Sequence, residues 1–158
     1  MSELETMPGI PIAFNNNIAI TWQHDHVFQA GRPGGPQTTV DSRAKEGASP
    51  VDSLLIALGT CTAVDVVDIL AKRRTPVDSL TIDVTAARAD AVPKRVVGML
   101  ITYHITGSGI ERVHAERAAD LAVNKYCSVR MSLDPNMPVR WKVVLNGEEG
   151  VVGPHAAT

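Results

Sequence analysis

The chain has 158 residues, 44% of them hydrophobic but only 4% aromatic, and a formal net charge of −2. That length suits one domain able to bury a core without staples, and the core has to rest on Val, Leu, Ile and Ala. The near-neutral charge removes any electrostatic reason to expect nucleic acid or an anionic membrane as a partner.

The stretch Met1 to Phe14 carries acidic residues and prolines and no basic segment followed by an apolar run, so no signal peptide is expected. Residues 1–15 read as a flexible arm. Alternation from Ile18 to Phe28 (Ile18, Ile20, Trp22, then His24, His26, Phe28) predicts one half-buried strand; its histidines read as surface groups, with the lining of a pocket as the alternative. Gly31 to Pro36 is a turn by composition, and Gln37 to Asp41 is the returning strand. Asp41 to Ala48 reads as a loop.

Ser49-Pro50 is a helix start, with Ser as N-cap, Pro at the first helical position and Asp52 in the first turn. The helix is expected to run to Arg74, before Thr75-Pro76. Leu54 to Gly59 is apolar almost all round, which predicts burial at the centre of the fold. No window is expected to supply the ~18 consecutive apolar residues of a membrane span. Val77–Ala89 and Val96–Thr106 predict an antiparallel pair. A helix is expected from Glu111 to Lys125, with Tyr126 as a packing residue and a further short helix to Met131. Val139–Leu145 is the last predicted strand, and 146–158 reads as a flexible tail. The order of elements predicts an α+β fold in a single domain, residues 1–158, with its core over 18–145.

Only two cysteines occur, Cys61 and Cys127, both in helical context. In a cytoplasmic protein, the location these features predict, paired thiols are more often catalytic, redox-sensing or metal-binding than structural. Neither cysteine has a CxxC neighbour, and the histidines do not flank them at ligand spacing, so no metal and no organic cofactor is expected. Cys61 lies three turns into its helix, too far from the N-terminus for the dipole to acidify it. Taken alone it reads as an inert buried thiol. A long central helix and a second helix packed on one sheet could bring the two sulfurs into disulfide range.

The run Ser49-Pro50-Val51-Asp52-Ser53-Leu54-Leu55-Ile56-Ala57-Leu58-Gly59-Thr60-Cys61-Thr62-Ala63-Val64-Asp65-Val66-Val67 resembles the first cysteine motif of the OsmC/Ohr superfamily, the osmotically inducible and organic hydroperoxide resistance proteins. Lys125-Tyr126-Cys127-Ser128-Val129 resembles the second motif of its OsmC-like branch. The resemblance implies an OsmC-like fold, with antiparallel sheets packed around a long central helix in an intertwined homodimer. It also implies a thiol-dependent peroxidase: Cys61 is oxidised by an organic hydroperoxide, with hydrogen peroxide as a further candidate substrate, to a sulfenic acid, Cys127 resolves it to a disulfide, and an external dithiol reductant resets the pair.

The peroxidases carry Glu directly after the motif proline, where this chain has Val51. Asp52 is the candidate substitute, or else a first-turn acid on the helix dipole. They also stabilise the thiolate with an arginine from the N-terminal β region. Arg32 is the candidate here, or else a solvated turn residue, and Arg43 is a weaker one. Asp65, one turn after Cys61, reads as structural. The alternatives to a peroxidase are a redox sensor or small hydrophobic-ligand binder of the same fold, and a structural dimer with inert thiols.

Overall fold

The computed structural model describes residues 16–155; the arm expected at 1–15 and the last three residues of the expected tail lie outside them. The chain forms two compact units, one up to Ser53 and one from Leu54 onward.

The first unit holds a three-stranded antiparallel meander of β1 (Ala19–His24), β2 (Val27–Gly31) and β3 (Gln37–Asp41). The single strand expected over Ile18–Phe28 is therefore two, reversed at Asp25, which takes a positive φ of 42°. Asp tolerates that conformation better than most side chains, and alternation that continues through a tight turn hides it from a periodicity argument. Trp22 pairs with Phe28, and Phe28 with Val40, so the aromatics share one sheet face. Ile20 and Trp22 on that face are 67% and 62% exposed. His24 lies near Asp25 and Glu46, and His26 bonds the Ser42 hydroxyl. After β3, the buried Asp41 carboxylate accepts the N–H groups of Arg43, Lys45 and Glu46 at 2.9–3.1 Å. Those bonds shape the loop that delivers the chain to Ser49.

Helix α1 (Pro50–Lys72) starts as expected, with a reciprocal capping box. The Ser49 hydroxyl accepts the Asp52 N–H at 3.1 Å and the Asp52 carboxylate accepts the Ser49 N–H at 3.0 Å, which satisfies donors the helix leaves open. It ends with Arg74 at φ 63°, the Arg74 N–H on Ala71 and the Thr75 N–H on Leu70, the paired bonds of a Schellman stop.

The second unit carries a four-stranded sheet in the order β4 (Ser79–Arg88), β5 (Val96–Thr106), β6 (Val139–Leu145), β7 (Glu148–Gly153). Leu80, Ile82, Val84 and Ala86 stand opposite Ile105, Tyr103, Ile101 and Met99, which stand in turn beside Leu145, Val143, Trp141 and Val139. One apolar face thus spans three strands, and a one-residue slip of any of them would turn its side chains to solvent. Leu58, Val66 and Leu70 of α1 join this core. Gly59 permits a close approach: a methyl there would come within 2.9 Å of Val84 Cγ2.

The structure corrects four further expectations. First, β5 and β6 pair in parallel, because the connection between them is a crossover through α2 (Arg112–Leu121) and α3 (Ser128–Met131). Second, the tail expected from Asn146 begins with a strand. Asn146 and Gly147, at φ 49° and 83°, form the two-residue turn that Asn-Gly favours, and Leu145 pairs directly with Glu148. Gly153 of β7 lies against the Trp141 indole, with no room for a side chain. Third, α1 is buried along one face only: Ile56, Val64 and Val67 are exposed. Finally, α1 does meet the length and composition of a membrane span. Its Leu58–Val66–Leu70 face, however, is part of the core described above.

Candidate functional site: a thiol pair at the end of a π-helical turn

Helix α2 does not run unbroken to Lys125 as expected. It passes into a π-helical turn, Ala122–Tyr126, closed by the Cys127 N–H on the Ala122 carbonyl at 3.0 Å. The extra residue in the turn rotates the chain beyond it about the helix axis. Ala115, Ala118, Ala119, Ala122 and Val123 hold the segment in the core, while Tyr126, expected to pack, is 52% exposed and sits beside the Lys125 ammonium. Cys127 then takes an extended conformation and becomes the N-cap of α3, its sulfur accepting the Arg130 N–H at 3.3 Å.

This geometry makes the two thiols neighbours, close enough for each to act on the ionisation of the other. Cys61 is partly exposed and Cys127 is fully buried; neither is in a disulfide. The Ser128 hydroxyl lies 3.9 Å from Cys61 Sγ. Burial pushes the Cys61 thiol up, but the Val129 N–H, the Cys127 thiol, and the Ser128 hydroxyl and N–H outweigh it. Together they hold Cys61 below its ordinary value. Burial first, and then the neighbouring Cys61, raise Cys127 to about 11 against the opposing pull of the Arg130 N–H. Each hydrogen bond to an anion favours the ionised form, and the thiol that donates is held protonated. The pair is polarised: Cys61 is the thiol that ionises first, and Cys127 the one that keeps its proton longer.

Around the pair, Tyr103 is fully buried and its hydroxyl has no hydrogen-bond partner among the described residues. The neighbouring Thr62 hydroxyl is turned to the carbonyls of Leu58 and Gly59, and burial pushes the phenol well above its ordinary range. Asp65 is raised by burial and then by Asp68. Arg130, 6% exposed, gives its guanidinium to the carbonyls of Asp134, Pro135 and Met137 and to His155 Nδ1. The Asn124 amide donates to the Pro154 carbonyl at 3.2 Å. Residues 154–155 are thereby pinned to both ends of the segment that carries Cys127.

Of the side chains singled out in the sequence, the structure brings Cys61 and Cys127 together. Asp52 is engaged in the capping box of α1. Arg32 is an exposed residue of the β2–β3 turn, its guanidinium 3.5 Å from Asn16 Oδ1. The donors that act on Cys61 were not anticipated. Ser128 and Val129 come directly after Cys127 in the second motif, but nothing in a sequence shows where their N–H groups point. Among the described residues no group of three or more His, Cys, Asp or Glu side chains is arranged to hold a metal ion.

Comparison with known proteins agrees with the fold. Protein YhfA of Escherichia coli K12 is 31% identical over 116 residues, which cover 73% of this chain and 87% of that protein. An OsmC-like protein from Mycoplasma pneumoniae superposes with a TM-score of 0.71 at 18% identity, over 82% of this chain and 95% of that one. The organic hydroperoxide resistance protein OhrB of Bacillus subtilis does so with a TM-score of 0.55 at 11% identity, over 81% and 98%. The family described as OsmC-like protein matches residues 43–142. With that match, the YhfA relationship and this architecture, the chain belongs to the OsmC-like protein family.

Proposed function

We propose that the protein is a thiol-dependent peroxidase that reduces organic hydroperoxides. The observation that carries this reading is a pair of free, neighbouring thiols in opposite settings, Cys61 partly open to solvent and Cys127 fully buried, with Cys61 held low and Cys127 high. A thiolate is the nucleophile that a peroxide requires, and a neighbouring thiol is the group able to trap the product.

In the first step the Cys61 thiolate attacks the outer peroxide oxygen. The S–O bond forms, the O–O bond breaks, and sulfur loses two electrons to the alkoxide, which takes a proton from water. In the second, Cys127 gives up its proton and attacks the Cys61 sulfenic sulfur. The S–S bond forms and hydroxide leaves, protonated to water. A dithiol reductant then attacks the disulfide and returns both thiols, itself ending as a disulfide. The reading includes a cytoplasmic homodimer. The exposed apolar residues Ile56, Val64 and Val67 of α1, and Ile20 and Trp22 of β1, are the surfaces it would cover.

A second reading, binding of a small apolar ligand without rapid turnover, draws on the open groove that Thr60, Ala63, Val64, Val67 and Asp68 form on α1. The deciding experiment is consumption of cumene hydroperoxide with excess dithiol by the wild type, Cys61→Ser and Cys127→Ser. A peroxidase turns over as wild type, falls to the background of reductant alone in Cys61→Ser, and in Cys127→Ser is oxidised without forming the intramolecular disulfide. Wild-type turnover no faster than background would remove the peroxidase reading and leave the ligand-binding one.

A further inference from the structure

The Cys61 sulfur has an inner and an outer polar neighbour. The inner one is the thiol of Cys127, fully buried. The outer one is Ser128, an exposed residue whose hydroxyl oxygen lies 3.9 Å from Cys61 Sγ. A thiolate has no proton to give, so when Cys61 is ionised the serine hydroxyl has to be the donor. The Ser128 carbonyl is engaged elsewhere, accepting the Ser132 N–H and the Ser132 hydroxyl inside α3. Among the described residues Cys61 is the hydrogen-bonding partner of the Ser128 hydroxyl.

We propose that Ser128 is a third functional side chain of this site: its hydroxyl donates to the Cys61 thiolate from the solvent side and, after oxygen transfer, to the new oxygen on sulfur. The first role concerns the thiol alone; the second rests on the peroxidase reading above. Its place on the open side of the sulfur matters, because an incoming peroxide meets the hydroxyl before it meets Cys127. The hydroxyl then directs the oxygen it has bonded, leaving the buried face of the Cys61 sulfur free for attack by Cys127.

The test is the pH profile of Cys61 alkylation by iodoacetamide in the wild type, Ser128→Ala and Ser128→Thr. It is paired with the rate of single-turnover oxidation by cumene hydroperoxide at a pH where each protein is fully thiolate. One hydrogen bond to an exposed anion corresponds to a midpoint about half a unit to one unit higher in Ser128→Ala. Ser128→Thr, which keeps the hydroxyl, restores the wild-type midpoint. The plateau oxidation rate falls several-fold in Ser128→Ala alone. An unmoved midpoint in Ser128→Ala overturns the proposal, as does an equal shift in both variants, which would mark a disturbed backbone. A midpoint that moves as expected in a protein whose wild type consumes no peroxide would support the Ser128 contact and overturn the peroxidase reading.

Discussion

Cys61 and Cys127 are chemically identical, neighbouring side chains, and their surroundings drive them in opposite directions. Cys61 sits in the middle of a regular 23-residue helix, where its own backbone has no free N–H to offer. Its acidity comes from another segment, through the groups of residues 127–129. Cys127 sits where regular helix fails, after a π-helical turn, capping a four-residue helix with its sulfur. It has a backbone donor of its own and still titrates high, because burial dominates. The lesson is that helix position alone does not rank two thiols. What decides is which one is desolvated without enough donors to compensate.

The sharpest way to break this comparison is selective alkylation. With the folded protein near neutral pH, iodoacetamide should modify one thiol per chain, identified by peptide mapping as Cys61, with Cys127 slower by at least about 100-fold, since two pKa units correspond to about that ratio of thiolate. Comparable rates at both sites would refute the polarised pair. The same polarisation fixes the sign for stability. Cys127 is raised in the folded state, so its contribution is fully present below the unfolded value of about 8.5 and is lost as pH rises towards about 11. The pH dependence of denaturant midpoints in wild type and Cys127→Ala reads that loss directly.

A smaller effect separates the sheet from the thiols. Gly153→Ala places a methyl in the Trp141 ring and is expected to cost about 1–3 kcal/mol in urea unfolding, with β7 and the residues after it loosened. An unchanged midpoint would mean that the packing of β7 on Trp141 is not needed. The least is expected from Ser49→Ala, which removes half of the capping box at about 1 kcal/mol. It should lower the thermal midpoint and leave the Cys61 alkylation profile alone; a profile that moved with it would tie the acidity of Cys61 to its own helix after all.

Much of the frame was legible in the residues. Ser49-Pro50 and Asp52 announce the start of α1, alternation announces β5 and β6, and two short motifs point to the family and to both cysteines. What was not legible has particular causes. The turn at Asp25 needs only one positive φ and interrupts no pattern. Asn146-Gly147 was a readable hairpin signal, masked because Glu148 and Glu149 after it look like a solvated tail. The π-helical turn has no compositional mark, and it alone decides that Cys127 leaves the helix where it does. The donors to Cys61 include backbone N–H groups, which every residue has. A sequence can name the thiol, but its acidity lies in the aim of groups that the sequence does not distinguish.

The pinning of Pro154 and His155 has a practical side. These residues tie down Asn124 before Cys127 and Arg130 after it, so whatever is joined close behind them pulls on both ends of the cysteine-bearing segment. An affinity tag or a fluorescent fusion on that side is then not a neutral handle. Protein purified with one can report a different thiol reactivity from protein tagged at the other end, with the amino-acid sequence of the domain unchanged.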